Sequence, residues 1–266
     1  MGLFGSSKAE SDKASEASLP ADSPLLQPAF TPGRYGFFPV GFGIYLVGPG
    51  ADSKTMQWLI AVEEQGALRP TYAVTTHKSV KLQISLHSGP EHTSPLLARG
   101  GLRRAMQSTF LIALPCYVAG PNGPVNKIEK MVHGKEIRTS TATFQVPVYN
   151  QGVESIEGFE WRSSTLQFAA GQQQMEYKLT RTNGGETVAT YHEDPAAITT
   201  GRFGTFQFAG SGATGQLGPY WTLMTVMTLI RLVQAKTEAE AAVDQMLKAG
   251  GKLAKAGFSM GIGAAV

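Results

Sequence analysis

The stretch "WTLMTVMTLIRLV", Trp221 to Val233, constrains the fold more than any other part of the chain. Preceded by Gly218-Pro219, it reads as a helix, because proline's missing amide costs nothing in a first turn. Trp221, Leu223, Met224, Val226, Met227, Leu229, Ile230, Leu232 and Val233 then cover nearly its whole circumference. A helix that is apolar all round must be enclosed by protein or lipid. At about 1.5 Å per residue this one covers roughly 20 Å, short of a hydrocarbon core of about 30 Å. Thr222, Thr225, Thr228 and Arg231 interrupt it as well. We therefore expect a helix buried inside a protein domain. Burying each large side chain contributes roughly 1.5–3 kcal/mol, so this element could anchor much of the fold.

What surrounds the helix should be β-structure. From Phe37 to Gly210 the chain offers a series of strand-like pieces separated by turns, among them "FGIYLVG", "TYAVTTH", "STFLIALP", "GFEWRSS", "MEYKLTR" and "RFGTFQFAG". Leu82, Ile84 and Leu86 alternate with Lys81, Gln83 and Ser85, and Phe206 alternates with Phe208 across Gln207. Period two with one polar face is the pattern of antiparallel strands. Asn183-Gly184-Gly185 between two such runs is a hairpin signal. Long helices do not alternate with the strands, which excludes a parallel α/β sheet.

A sheet of nine or more strands followed by an apolar helix suggests a closed antiparallel β-barrel around a central helix. The stretches 158–164, 175–181, 186–191 and "GPYWTLMTVMTLIRLVQ" (218–234) resemble the tubby C-terminal-like superfamily. Its members include tubby proteins, LURP-one-related proteins and phospholipid scramblases, and the likeness is strongest to fungal tubby-like proteins. The resemblance spans about residues 34–235. It implies a barrel around a hydrophobic helix, and membrane or lipid association rather than catalysis. The scramblases' cysteine-rich and calcium-binding segments have no counterpart here, so scramblase activity is not implied.

The flanks read differently. Residues 1–33, with "SSKAESDKASEASLPADSP", lack the large apolar side chains needed to offset ordering entropy, so we expect disorder. Residues 34–235 form the expected barrel domain, and 236–266 a helical, glycine-rich tail that Gly250-Gly251 should stop. "MGLFGSSK" fits an N-myristoylation signal, with Gly2 as acceptor and Ser6 at the preferred position. One myristoyl chain binds membranes only marginally, so a second contact is expected. Arg99, Arg103 and Arg104 in "LLARGGLRRAM" supply a basic patch, set against the plainer reading of a solvated loop.

Catalytic signals are thin. Gly210-Ser-Gly212-Ala-Thr-Gly215 has dinucleotide-loop spacing, but a second strand and an acidic residue about twenty positions on are missing. His87, Glu91 and His92 match no standard zinc spacing and read as a solvated loop. "YHEDP" reads as a turn, and Cys116, the single cysteine, as a buried thiol. A net charge of +3 is too small to imply nucleic acid. One cysteine and no apolar leader point to a reducing, cytoplasmic setting. The expectation is a non-enzymatic protein without metal or cofactor, peripheral on an anionic phospholipid surface. The alternative is a cytosolic module that binds a protein partner.

Overall fold

In a computed structural model the described residues are 38–49, 55–77, 83–102, 108–114, 119–120, 123–124, 127–134, 141–150, 153–167, 173–196 and 201–259. Twelve of their strands close into one antiparallel barrel. In chain order these are β1 (Gly41–Pro49), β2 (Thr55–Glu64), β3 (Ala67–His77), β4 (Gln83–His87), β5 (Leu96–Leu102) and β6 (Thr109–Leu114). The two-residue strands β7 (Ala119–Gly120) and β8 (Gly123–Pro124) pair only with each other. The wall resumes with β9 (Lys127–His133), β10 (Thr141–Asn150), β11 (Val153–Gln167), β12 (Gln173–Arg181), β13 (Thr187–Glu193) and β14 (Arg202–Phe208). Each wall strand pairs with its predecessor in the wall, and β14 returns to β1 through pairs such as Phe42–Phe206, which leaves no open edge.

Alternation assigns the faces. Ile84 and Leu86 of β4, Phe144, Val146 and Val148 of β10, and Phe206 and Phe208 of β14 are buried. The residues between them on β10 and β14 that stay exposed include Thr143, Gln145, Thr205 and Gln207. The hairpin at Asn183-Gly184-Gly185 joins β12 to β13 as expected, with Gly184 at φ 86° and Gly185 at φ 67°, values that side chains rarely adopt.

After β14 comes a single helical turn, α1 (Gly210–Ala213), and then α2 (Gly218–Ser259). Every residue from Tyr220 to Gln234 is buried. Burial without a break over four turns means that wall side chains meet the helix on all sides, so α2 fills the barrel. Aromatic rings knit it to the strands at its start. Trp221 lies 5.7 Å from both Phe159 and Phe208, and Phe208 meets Phe206 edge-on at 4.7 Å. Phe206 stacks on Phe42 at 4.6 Å and Phe159 on Phe144 at 5.4 Å.

One expectation about the end of the chain changes. The helix does not stop at Gly250-Gly251 but continues through them to Ser259. Glycine costs a helix about 1 kcal/mol relative to alanine, which weakens a helix without obliging it to end. At 42 residues α2 is about 63 Å long, so it extends well beyond the barrel it fills.

Candidate functional site

The barrel interior holds few polar groups. Trp161 Nε1 on β11 donates to Thr228 Oγ1 at 2.9 Å, and Thr228 donates in turn to the Thr225 carbonyl at 2.9 Å. One turn further along α2, Arg231 is buried with its guanidinium carbon 5.5 Å above the Phe110 ring. Its Nη1 donates to Gln234 Oε1 at 3.2 Å and lies 3.6 Å from Glu238 Oε2. Arg231 Nε and His133 Nε2 are both buried without a hydrogen-bond partner. Burial, followed by the Arg231 charge, pushes the His133 imidazole down to about 4, so it is neutral at neutral pH.

The glycine turn holds a carboxylate of the protein itself. Ser211 N donates to Glu186 Oε1 at 2.7 Å and Ser211 Oγ to Glu186 Oε2 at 2.9 Å. Arg181 bridges this carboxylate to the next, donating to Glu186 at 3.2 Å and to both oxygens of Glu157 at 2.8 and 2.7 Å. A side chain at Gly212 would overlap the Val188 carbonyl and come within 2.7 Å of the Trp221 ring. The glycine there serves close packing rather than a positive φ. The helix that follows runs to Ser259 with no strand after it among the described residues, so the dinucleotide context is missing here too.

Of the residues expected to contact a membrane, Gly2, Arg103 and Arg104 lie outside the described residues, as does Cys116. Arg99 is described, and it corrects the loop reading of "LLARGGL". It lies in strand β5, opposite Ser85 of β4 and Ala113 of β6, and is half-buried. Its neighbours Ala98 and Gly100 are buried, which puts Arg99 on the outer wall. Close packing explains the glycines that made the segment look like a loop. A side chain at Gly100 would overlap the Phe110 ring.

Beside Arg99 the wall carries a cluster that spacing did not reveal. His87, expected in a solvated loop, is the buried last residue of β4, where the register slips. Its Nδ1 donates to the Ser94 carbonyl at 2.8 Å, which leaves Nε2 as a bare acceptor. That nitrogen lies 3.4 Å from Thr75 Oγ1 on β3, and His92 Nδ1 approaches the same oxygen to 3.3 Å. The 88–95 turn is held over this face by Ser88 N to the Pro95 carbonyl at 2.9 Å and Ala73 N to the Gly89 carbonyl at 2.7 Å. Burial lowers the affinity of both imidazoles for protons. Arg99 contributes further at His87, and His87 at His92. Thr75, His87 and the Ser94 carbonyl have the order of a nucleophile, base and orienting group, but the 3.4 Å separation of the first two is long for proton transfer.

Among the described residues, cavities open on the surface. One of about 580 Å³ lies between β9 and β10, which pair over only three positions, Ala142–His133 to Phe144–Met131. Pro147, further along β10, has no amide to offer a neighbouring strand. Ile128, Val132, Phe144 and Phe159 line this groove together with Glu129, whose Oε1 accepts a bond from Tyr220 at 3.2 Å. Another, of about 210 Å³, lies where α2 leaves the barrel, among Leu46, Met56, Trp58 and Phe203. No helix among the described residues is long and apolar enough to cross a membrane.

No family model, curated protein or solved structure matches the chain. What it has in common with tubby-like proteins is the general shape, a closed twelve-stranded antiparallel barrel with its helix near the carboxyl end.

Proposed function

We propose that this protein is a tubby-like, non-enzymatic barrel that works as a peripheral component of a cytoplasmic membrane face. The observation that supports this reading is the occupied lumen. With Tyr220 to Gln234 buried on every side, α2 occupies the centre of the barrel. Function then falls to the outer surface and to the segments flanking the barrel. There the sequence offers Gly2 for acylation, and Arg99, Arg103 and Arg104 for anionic headgroups. Myristate alone gives an association constant of about 10⁴ M⁻¹, and each basic residue near an anionic surface adds roughly 1 kcal/mol.

Sedimentation with neutral and anionic vesicles tests this, using protein made with and without myristoyl transferase. Gly2→Ala should move the protein to the supernatant even at low salt. Removing the three arginines should weaken binding to anionic vesicles, and raised salt should mimic that loss. Equal binding by the Gly2→Ala protein would exclude the acyl anchor. The groove between β9 and β10 favours a second reading, a module that binds a protein partner, and on that reading the protein ignores vesicles altogether.

A further inference from the structure

The tautomer of His87 is fixed by its neighbours, and this determines what the outer-wall cluster can bind. With Nδ1–H committed to the Ser94 carbonyl at 2.8 Å, the Nε2 lone pair points toward Thr75. An imidazole that donates one nitrogen to a backbone carbonyl and presents the other bare is the usual arrangement of a metal-ligating histidine. His92 Nδ1 approaches the same point from the 88–95 turn. A single hydroxyl hydrogen cannot serve two bare nitrogens, so Thr75 fully satisfies the pair only in one tautomer of His92.

The ring geometry sets a quantitative test. Nitrogen–metal bonds of about 2.0–2.1 Å place an imidazole centre about 3.2 Å from the ion, so two rings on one ion lie at most about 6.4 Å apart. The His87 and His92 centroids are 6.1 Å apart with planes at 88°, inside that limit. A tetrahedral angle would bring them to about 5.2 Å, a closure of roughly 1 Å. His92 sits on the turn and is less buried than His87, so it is the ring placed to make this movement.

We propose that His87 Nε2 and His92 Nδ1 form a two-histidine site for a divalent transition-metal ion on the outer wall, clamping the 88–95 turn to the end of β4. Two protein ligands leave the remaining positions to water or to a donor from a partner. The Arg99 charge, which acts on His87, opposes a dication. These conditions select ions that imidazole holds tightly, with Cu²⁺ ahead of Zn²⁺ and both far ahead of Mg²⁺.

The test is calorimetric titration of the untagged full-length protein with Cu²⁺, Zn²⁺ and Mg²⁺ at pH 7.5, with electron paramagnetic resonance of the copper form. The expected result is one saturable Cu²⁺ per chain, with hyperfine structure from two nitrogens, and no Mg²⁺ binding. His92→Gln, on the turn, should weaken Cu²⁺ binding about tenfold or more while leaving the metal-free melting temperature within a few degrees. Thr75→Val should retain binding, because the hydroxyl is not required as a ligand. His192→Gln, on another part of the wall, should leave binding unchanged. Absence of saturable Cu²⁺ binding, or equal affinity in His92→Gln, would overturn the site. Neither result bears on the vesicle experiment above, which uses different residues.

Discussion

Trp161 and Thr228, 67 positions apart in the chain, meet inside the barrel, with the indole N–H donating to the threonine hydroxyl at 2.9 Å. Most of the remaining contact between wall and helix is apolar and fixes depth only loosely, with polar ties from Tyr220 to Glu129 and from Lys236 to Glu193 on either side of Thr228 along the helix. A directional bond at this depth sets where along the barrel axis the helix stops and which of its faces meets β11. Replacing Thr228 with Val keeps the shape and removes the acceptor. The Trp161 N–H is then buried without a partner, at a cost of about 1–3 kcal/mol. Urea denaturation followed by tryptophan fluorescence should show that loss for Thr228→Val, and Thr228→Ser should recover most of it.

Met227 faces the wall with none of its surface exposed. Met227→Asp would place an unpaired carboxylate there, several kcal/mol uphill, and the domain should no longer melt cooperatively in a calorimetric scan. Met227→Leu keeps volume and polarity and should cost less than about 1.5 kcal/mol. Similar melting temperatures for Asp and Leu at this position would contradict an enclosed helix.

Gly212→Ala tests the turn that leads into the helix. The added methyl would overlap the Val188 carbonyl and press on the Trp221 ring, so α1 must move off β13. Overpacking of this kind costs typically 1–3 kcal/mol. Chemical denaturation should show the loss. Isothermal titration with NAD or ATP should show no binding by either form, since Glu186 already takes the Ser211 donors.

His133 gives the fold a pH dependence of defined sign. Its imidazole protonates near 6.5 in the unfolded chain but only near 4 in the barrel. Between those values the unfolded chain binds more protons, so stability is full above about pH 6.5 and falls as the pH drops toward 4. The shift corresponds to roughly 3 kcal/mol at most. His87 and His92 are lowered as well and act in the same direction. Unfolding free energies measured at pH 7.5 and 4.5 should therefore differ less in His133→Gln than in the natural protein, with a residual slope from the other pair. An unchanged slope in that variant would mean that His133 titrates freely.

The sequence was most legible where one element carried its own signal. Trp221 to Val233 is apolar on every side, and only enclosure satisfies such a helix. The alternation at Ile84 and Leu86, or at Phe206 and Phe208, specifies which face of a strand is inward. β5 was hidden because Gly100 packs against Phe110, and a glycine required by its neighbour across the sheet looks locally like a turn residue. Of the cluster at Thr75, His87 and His92, only the nearness of the two histidines along the chain could be read. The rest depends on Thr75 standing opposite Ser85, and on the turn after β4 folding back over β3. Those are properties of the pairing register, and spacing along the chain does not encode them. The turn at Asp194 was legible because aspartate accepts from the amide two residues on, here Ala196 N at 2.8 Å.

The order of elements along the chain has a consequence for biosynthesis. A ribosome releases the twelve wall strands before the segment that fills them. Until Trp221 to Val233 emerges, the inward faces of Ile84, Phe144, Trp161 and Phe206 have nothing to cover them, and β1 cannot usefully close onto β14 around an empty centre. Closure of the barrel therefore waits until that segment has emerged, and before then the nascent strands carry an uncovered apolar face and unclosed edges. Such a chain should depend on chaperones that shield strands during elongation, and truncation before the helix should yield aggregates rather than a smaller folded barrel.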